Sequence, residues 1–587
     1  MRYVWQKHLG LAILVPIVLL AGCQVIVAHI VLPHQGVRPA EYSVRVEHDV
    51  PMTTSDGVQL LADLYHPVTD QRAPTILVRL PYSKSFKTDI GLAVIARFWA
   101  SHGYHVVVQA SRGRHGSGGD FYPMRDERRD GIEMLKWLAL QPWYDGRLGM
   151  WGGSAFGYTQ WAVADQNDPG PSALMIQIAS SHIHDMFYPG GAFSLESALY
   201  WALRSRGSRD EKPSTGVLDR GVNGFPAIKA DDRATGDIAF FDDWASHPDA
   251  DAYWNMIDGE QRARDLRAPV LLMAGWSDPF LPSQLRDFET VRAQADPRIA
   301  RESRLIIGPW SHAESIHFPD GTTGDAYRPA SLAPSIPWFD HELLGRPLDR
   351  SLAAPVRLFV MGENKWRDEQ EWPLARARPT RFFLRGGGHA NTAQGDGRLA
   401  TDPPVEGEPP DTYVYNPRDP VPTRGGAMLS TRAGIREQNK VEGRQDVLVY
   451  TTAPLPSDLE VTGPVSATLI VSTTAASTDF TVKLVDVHQD GKAYNVSDGV
   501  LRRGYSKADT ADGAAREITI ELWPTSMLFR QGHRIRVEVS SSNFPRYDRN
   551  TNTGRIVETD DSPVAATQVV HHSAKRLSSI LLPIVPK

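Results

Sequence analysis

The sequence predicts an α/β domain with a largely parallel sheet and an inserted helical cap, followed by a separate β-sandwich. Three patterns in the 587 residues lead to this prediction. Between residues 58 and 344, short apolar runs alternate with longer amphipathic stretches, which is typical of β-α units. Residues 181–267 interrupt this rhythm with scattered aromatics, charges and glycines but no apolar strand-like run. After Pro355, strand-like runs alternate with Gly, Pro and Asp turns, as expected for a sandwich.

Individual elements can be placed from the same patterns. The α/β region has six predicted strands, at residues 75–80, 104–109, 147–151, 173–178, 269–274 and 303–307. Three predicted helices lie between them, at residues 93–101, 127–140 and 282–291. Sandwich strands are predicted at residues 356–361, 480–488 and 535–540, with a long loop at residues 386–410.

Length and composition fit several globular domains. The chain is 41% hydrophobic and holds 15 tryptophans, which is ample material for more than one core. The predicted boundaries are a lipoprotein-type signal segment at 1–23, the α/β domain at 45–180 and 268–350, the cap at 181–267 and the sandwich at 355–587. The formal net charge is −6, without long runs of one sign, which argues against a nucleic-acid partner.

The N-terminal residues have the layout of an export signal. Arg2 and Lys7 precede an apolar stretch at residues 9–20, and the stretch ends in Leu-Ala-Gly-Cys at Cys23. This end resembles the bacterial lipobox, in which the cysteine is lipidated and becomes the mature N-terminus. Cys23 is the only cysteine, so a disulfide framework is excluded. Apolar residues resume at 25–32, so an uncleaved membrane anchor is the alternative. Both readings place the protein in the cell envelope, with membrane contact only through this segment.

A candidate nucleophile follows the third predicted strand. Ser154 lies between Gly152-Gly153 and Gly157, with a helical stretch behind it. A strand, a sharp glycine-flanked turn and a helix form the nucleophile elbow, which exposes a serine hydroxyl above the sheet. Gly-x-Ser-x-x-Gly alone is a weak signal, since it also occurs in ordinary loops, and its meaning comes from the strand and helix on either side.

A serine hydroxyl needs a base to accept its proton and an acid to orient that base. Asp278 follows the predicted strand 269–274, and His312 follows the next one. Each residue taken singly could be an ordinary loop residue. Together, the order Ser, Asp, His is that of α/β-hydrolases, with His312 as general base and Asp278 as the orienting acid.

The tetrahedral intermediate of acyl transfer also needs two hydrogen-bond donors for its oxyanion. The backbone N–H of Ala155, directly after the nucleophile, is one candidate. The Tyr82 hydroxyl is the other, because Tyr82 follows the first predicted strand, where hydrolases of this fold place a second donor. The alternative for Tyr82 is a turn residue packed on the sheet edge.

At this point the chain resembles the cocaine esterase, X-Pro dipeptidyl-peptidase and acylase family of serine hydrolases. The resemblance rests on these residues: Pro81-Tyr82, Arg112-Gly113, Gly116 to Asp120, the elbow with Thr159-Gln160-Trp161, Gly275-Trp276 with Asp278, Gly308 to His312, Met361 to Asn364 with Trp366, Asp486-Val487, Asp490-Gly491 and Ser541 to Arg546. It implies an α/β-hydrolase domain, a helical cap and a C-terminal jelly roll, with a tyrosine hydroxyl in the oxyanion hole.

The chain departs from the family pattern in two places. Many relatives have tyrosine where this chain has Ala155, which implies a wider acyl pocket. Four candidates for its lining, which could equally be core residues, are Trp161, Trp276, Phe280 and Trp310. Relatives that cleave α-amino acid esters place carboxylates shortly after the catalytic acid, where this chain has residues 279–281, Pro-Phe-Leu. We therefore expect apolar or aromatic acyl groups, although Asp185 or Glu196 of the cap could still reach the pocket.

These observations predict a cofactor-independent serine hydrolase for a small ester or amide substrate. His182, His184 and Asp185 are metal-ligand residue types, but no further cluster supports them, so we expect no metal. Two alternatives stay open. One is an X-Pro dipeptidyl-peptidase-like peptidase, and the other is a surface polymer-binding protein whose hydrolase domain is inert.

Overall fold

The computed structural model describes residues 37–81, 86–207, 212–258, 260–294, 296–504 and 514–586. Within these ranges no helix has the length and apolar character needed to cross a bilayer. The predicted signal segment, with Cys23, and the oxyanion candidate Tyr82 lie outside the described residues.

The first domain is built on a sheet with ten described strands. They are β1 (Val44–Thr53), β2 (Gln59–Pro67), β3 (Ala73–Leu80), β4 (His105–Ala110), β5 (Tyr144–Gly153), β6 (Ala173–Gln177), β7 (Val270–Gly275), β8 (Arg304–Gly308), β9 (Val356–Val360) and β10 (Lys365–Glu369). The order is β1-β2-β4-β3-β5-β6-β7-β8-β9-β10. The run from β4 to β9 is parallel, and β1, β2 and β10 add antiparallel edges. This is the predicted α/β-hydrolase sheet.

Helices connect these strands and form the cap. The described ones are α1 (Phe86–Ser101), α2 (Glu127–Ala139), α3 (Ala155–Trp161), α4 (His184–Phe187), α5 (Leu195–Ser205), α6 (Thr215–Val222), α7 (Ala230–Ala234), α8 (Ala239–Ser246), α9 (Ala252–Asn255), α10 (Glu260–Arg264), α11 (Leu281–Arg292), α12 (Pro297–Glu302), α13 (Tyr327–Leu332) and α14 (Ser335–Leu344). Short 3-10 turns lie at Pro189–Gly191, Ala227–Lys229, Arg350–Leu352 and Val557–Thr559.

The cap comprises α4 to α10, inserted between β6 and β7. Its aromatic residues form a core of their own, in which the Trp201 and Trp244 rings stack with centroids 5.1 Å apart. Trp244 and Trp254 are fully buried. The scattered aromatics of residues 181–267 therefore hold a small helical layer together, as the sequence predicts.

The second domain contains the remaining described strands. They are β11 (Arg378–Arg385), β12 (Arg398–Ala400), β13 (Asp411–Tyr415), β14 (Leu448–Thr451), β15 (Leu459–Thr473), β16 (Ser477–Val487), β17 (Ala493–Gly504), β18 (Arg516–Phe529), β19 (Arg534–Ser540), β20 (Ala566–His571) and β21 (Ser579–Val585). Nearly all pairings are antiparallel, and β15 pairs with β18, β20 and β21 along its length. The architecture is consistent with the predicted sandwich.

The sequence-based boundary between the domains needs correction. Residues 356–361 were predicted to begin the sandwich, but β9 pairs in parallel with β8 and is continued by β10. The physical reason is burial: β9 is apolar on nearly every residue, as expected of a parallel strand covered on both faces. Residues 386–410 also contain a short strand, β12, within the predicted loop.

The turn after β9 joins the two domains directly. The Met361 N–H donates to the Ser526 carbonyl at 3.0 Å, and the Leu528 N–H donates to the Met361 carbonyl at 2.8 Å. One continuous set of buried side chains extends through both domains, including Leu358, Phe359 and Met527. The sandwich is therefore packed directly against the hydrolase sheet.

Candidate active site

Ser154 occupies the turn between β5 and α3. Its φ of 57° and ψ of −128° lie outside the favoured regions for an L-residue. Neighbouring glycines leave room for this turn: a Cβ on Gly152 would come within 2.3 Å of the Phe156 Cβ, and one on Gly157 within 2.6 Å of the Ala179 Cβ. The strand, turn and helix are thus those of a nucleophile elbow.

Ser154, His312 and Asp278 form a hydrogen-bonded chain. The Nε2 atom of His312 lies 2.9 Å from the Ser154 Oγ, and its Nδ1 atom lies 2.6 Å from Asp278 Oδ2. Asp278 follows β7 and His312 follows β8, so both meet Ser154 at the carboxyl edge of the parallel strands. Asp278 is fully buried, while the His312 side chain is 12% exposed. The structure thus brings together three side chains that lie far apart in the sequence.

Asp278 is fixed from several directions. Its Oδ1 accepts a hydrogen bond from the Phe280 N–H at 2.8 Å, which leaves Oδ2 for the imidazole. Its main-chain carbonyl accepts from the Leu281 N–H at 3.2 Å and from the Trp523 indole at 3.0 Å. With Nδ1–H donating to the carboxylate, Nε2 is free to accept the serine proton. The arrangement is suited to general base catalysis.

One of the two predicted oxyanion donors is described. Ala155 is the first residue of α3 and lines the cavity beside Ser154. The N–H groups of a first helical turn have no acceptor within the helix, so they are suited to binding an oxyanion. Tyr82 follows Pro81, directly after β3, and belongs to the residues that the structure does not describe.

A narrow cavity opens over Ser154 and His312. Apart from these two side chains, its described lining is apolar or aromatic with one guanidinium, and comprises Met124, Ala155, Tyr158, Ala179, Ile183, Met186, Tyr200, Trp201, Arg204, Phe280 and Leu429. The cap supplies the residues from Ile183 to Arg204, and the second domain supplies Leu429. Substrate would therefore be held between all three parts of the molecule.

The predicted pocket residues require a correction. Phe280 lines the cavity, with its ring centroid 5.9 Å from that of His312. Trp161, Trp276 and Trp310 are buried in the core instead. The indole of Trp276 donates to the Phe359 carbonyl and that of Trp310 to the Asp325 carbonyl, each at 2.7 Å. The indole of Trp276 thus binds strand β9, and that of Trp310 binds the loop at Asp325.

Several cavity residues were missed by the sequence reasoning. Tyr158 lies one helical turn after Ser154, so its position in α3 could have indicated that it faces the site. Burial raises the pKa of Tyr158 to about 12, which keeps its phenol neutral. Trp201 and Leu429 carried no signal, because cap and sandwich residues reach the site only through tertiary packing.

The cap carboxylates that could have reached the pocket do not line it. Asp185 pairs with Arg286 at the surface. Glu196 is fully buried one helical turn before Tyr200, and burial raises the pKa of its carboxyl. His182 faces Asp287 at 3.7 Å, and His184 Nε2 lies 2.9 Å from the Pro248 carbonyl. Among the residues described, the cavity wall therefore has no carboxylate.

Two protein-family models match the chain. The model of X-Pro dipeptidyl-peptidase (S15 family) matches residues 56–314. The model of the X-Pro dipeptidyl-peptidase C-terminal non-catalytic domain matches residues 351–581. Cocaine esterase of Rhodococcus sp. (strain MB1 Bresler) is 38% identical over 588 residues, which cover 93% of this chain and 99% of the esterase.

Two solved structures share the fold over nearly the whole chain. An aminopeptidase from the marine sediment archaeon Thaumarchaeota archaeon superposes with a TM-score of 0.77 at 25% identity, covering 94% of this chain and 99% of that one. An α-amino acid ester hydrolase superposes with a TM-score of 0.75 at 22% identity, covering 93% and 98%. The second likeness concerns the fold alone.

Proposed function

Because this chain belongs to the family of serine hydrolases that includes cocaine esterase and the X-Pro dipeptidyl-peptidases, we propose that it hydrolyses carboxylic esters with apolar or aromatic acyl groups, using Ser154 as nucleophile. Membership of this family makes the chain a serine hydrolase that cleaves ester or amide bonds. The wall of the cavity beside Ser154 and His312 is the observation that favours an apolar acyl group.

The distances support a two-step acyl transfer. Ser154 Oγ attacks the ester carbonyl carbon while its proton passes to His312 Nε2, and the oxyanion is held by the Ala155 N–H. Collapse of the tetrahedral intermediate breaks the ester C–O bond, and the alkoxide leaves with the proton from Nε2. Water then attacks the acyl-serine, giving its proton to Nε2, and Ser154 recovers that proton as the acid departs. Asp278 stays ionised and stabilises the imidazolium throughout.

The cavity wall favours an uncharged acyl group over an α-ammonium group. Taking an ammonium out of water is costly unless an anion offsets the loss of hydration. Among the described residues that line the cavity, no carboxylate offers this compensation. Apolar and aromatic side chains such as Phe280 and Trp201 instead favour an aryl or alkyl acyl group.

The substrate class can be tested with matched esters. We would measure kcat/KM for 4-nitrophenyl phenylacetate and for its α-amino analogue, with Ser154→Ala as the blank for background hydrolysis. We expect the phenylacetyl ester to be preferred by about tenfold or more. If the amino ester is the better substrate by about tenfold, the proposed pocket chemistry is wrong.

A peptidase is the second candidate, since the family models are named for X-Pro dipeptidyl-peptidases and one structural relative is an aminopeptidase. Such enzymes must bind a free N-terminus near the scissile bond, which the described cavity wall does not favour. An Ala-Pro amide of a coumarin dye tests this directly. Turnover of the amide above that of the phenylacetyl ester would replace the esterase proposal with the peptidase.

A surface polymer-binding protein with an inert hydrolase domain is the alternative from another class. The hydrogen-bonded chain from Ser154 through His312 to Asp278 argues against it, because a binding protein has no need of that geometry. Labelling with a fluorophosphonate probe distinguishes the two. Wild-type protein should be labelled and Ser154→Ala should not, whereas an inert domain would remain unlabelled in both.

We also propose that the chain is exported and anchored to the envelope by a lipid on Cys23, as its lipobox-like residues suggest. In a bacterial host fed an alkyne fatty acid, we expect labelled wild-type protein in the membrane fraction. Cys23→Ser should be unlabelled and should leave that fraction. Unlabelled protein that stays in the membrane for both chains would favour the uncleaved anchor.

A further inference from the structure

A second cluster of chemically active side chains lies in the second domain. Asp486 is in β16, His488 follows the end of that strand, and His533 directly precedes β19. These two strands pair antiparallel, with Asp486 opposite Ile535 and Val487 opposite Arg534. Continuing the register by one residue places His488 opposite His533. Because side chains alternate along a strand, Asp486 and His488 share a face, which brings all three side chains together.

The three side chains are aimed at one another. His533 Nδ1 lies 3.0 Å from Asp486 Oδ1 and 3.1 Å from Oδ2, and His488 Nε2 lies 3.3 Å from Oδ2. The two imidazole rings are 4.3 Å apart, centroid to centroid. Two ligand atoms on one tetrahedral zinc ion, with bonds of about 2.0 to 2.2 Å, are separated by about 3.3 Å. The observed separations thus match the edges of a zinc coordination sphere.

Burial and charge suit a cation at this position. The Asp486 side chain is 2% exposed, and its carboxylate lies within 3.3 Å of a ring nitrogen of both His488 and His533. Two imidazoles and one carboxylate form a donor set that favours zinc and neighbouring transition metals over Ca²⁺ or Mg²⁺.

The cluster also opens onto a cavity of about 320 Å³ between the two domains. Asp320, from a loop of the first domain, lines the same cavity, where its carboxylate accepts hydrogen bonds from Thr322 and Asn364. Arg530 lines the cavity too, but its guanidinium donates to the Gly362 carbonyl and pairs with Asp458. Solvent can therefore reach the cluster and complete a coordination shell.

Two other acidic groupings in the described chain are less suited to a metal. Glu302 and Glu342 lie around His341, but they also pair with Arg301, Arg304 and Arg298, which compete with a cation. Asp231, Asp232 and Asp237 contain no histidine, and Asp231 accepts a hydrogen bond from the Ile238 N–H. His182 and His184 are also metal-ligand residue types, but His182 faces Asp287 and His184 lies against the Pro248 carbonyl.

From this geometry we propose that Asp486, His488 and His533 bind a divalent transition metal ion, with zinc the best match, in the cavity between the two domains. Each imidazole binds through the nitrogen that now faces Asp486 and carries its proton on the other ring nitrogen. Water supplies the fourth ligand of a tetrahedral ion. The site lies where β16 and β19 face the first domain across the cavity.

The test uses the full chain stripped of metal with a chelator. Titration with ZnCl₂ against a competing chelator should show one ion per chain, and thermal unfolding should move to higher temperature on zinc addition. His488→Ala and His533→Ala should each weaken binding by at least about tenfold, the loss typical even for residues that only support metal ligands. Ester hydrolysis by these variants should persist and would show that they are folded.

Two control variants test whether zinc binds at the proposed site or at another histidine. His341→Ala removes the histidine of the Glu302 grouping, and His312→Ala removes the catalytic imidazole, so both should bind zinc as the wild type does. Cobalt substitution should give the intense visible bands of a tetrahedral ion, and these should vanish in His533→Ala. The proposal is overturned if zinc affinity is unchanged in His488→Ala and His533→Ala, or if binding is lost in His341→Ala or His312→Ala instead.

Discussion

The indole of Trp523 donates a hydrogen bond to the main-chain carbonyl of Asp278, at 3.0 Å. Trp523 belongs to β18 of the second domain, and Asp278, in the first, is the acid of the proposed triad. A domain that supplies no triad residue thus takes part in positioning one. The ring of Trp523 is itself held in place by Arg546, whose guanidinium lies 4.4 Å from its centroid.

Trp523→Phe should lower kcat several-fold with little change in KM. The Leu281 N–H still satisfies the Asp278 carbonyl, so the lost hydrogen bond should cost only about 1 kcal/mol of stability. Steady-state kinetics and thermal unfolding measure the two effects. Trp366→Phe is the matched control, because it loses an indole hydrogen bond of 2.7 Å to Asp325 rather than to the triad. Equal kcat losses in both variants would mean that Trp523 has only a packing role.

Ser154→Ala should lose at least about 10⁴-fold in kcat while staying folded, since the hydroxyl is the attacking group. The backbone of Ser154 allows a sharper comparison. At φ 57°, a side chain is strained and glycine is not, so Ser154→Gly should be more stable than Ser154→Ala by about 1 kcal/mol. Chemical denaturation of the two inactive variants measures the difference. Greater stability of the alanine variant would contradict the strained elbow.

Tyr82→Phe should lower kcat by about 10²-fold with a smaller change in KM, as expected for loss of one oxyanion donor. The expectation rests on the position of Tyr82 directly after β3 and on the family resemblance. Tyr327→Phe is a useful control, because that hydroxyl hydrogen-bonds to Gln177 in the core. An unchanged kcat in Tyr82→Phe would assign this tyrosine to packing.

Glu196→Gln should stabilise the protein at pH 8 and lose this advantage on acidification. Burial raises the pKa of the Glu196 carboxyl, an effect that Ser430 and Arg432 nearby reduce only in part. Because the folded state then binds the proton more tightly than the unfolded state, the carboxyl contributes stability at low pH and loses it as pH rises through the folded pKa. Glutamine cannot ionise and avoids this loss.

Thermal unfolding of wild type and Glu196→Gln from pH 4 to pH 8 checks the sign. The gap between their midpoints should be largest at pH 8 and should close near the ordinary glutamate pKa of about 4.3. Glu517→Gln, at an exposed position of β18, should show little pH dependence. A glutamine variant that is less stable than the wild type at pH 8 would show that ionised Glu196 is favourably paired.

The strands β7 and β8, which precede Asp278 and His312, were predictable because they are buried along their whole length and apolar apart from Arg304. The predicted strand 269–274 and the observed β7 differ by one residue at each end, and the loops after β7 and β8 were correctly located. The apolar pattern of β9 correctly predicted a strand but not its domain, because such a pattern does not show which sheet a strand joins. Only the pairing with β8 assigns it to the first domain.

The cavity was less predictable than the triad. A tryptophan such as Trp276 has the same sequence signature whether its ring faces a substrate or the core, and the direction is set by neighbours that lie far away in the chain. Leu429 shows the converse, as a plain apolar residue of the second domain that contacts the site. The grouping of Asp486 with His533 likewise depended on a strand register that no local pattern reveals.

The pairing of β9 with β8 determines where this protein can be divided. A fragment that ended at residue 350 would keep every triad residue but lose β9 and β10, leaving β8 as an open sheet edge prone to intermolecular pairing. The gap between the two family models, after residue 314 and before residue 351, is therefore not a folding boundary. Chimaeras that exchange the second domain between relatives should be joined after Glu369. The relative that supplies Ser154 then also supplies the strands β9 and β10 at the edge of its sheet.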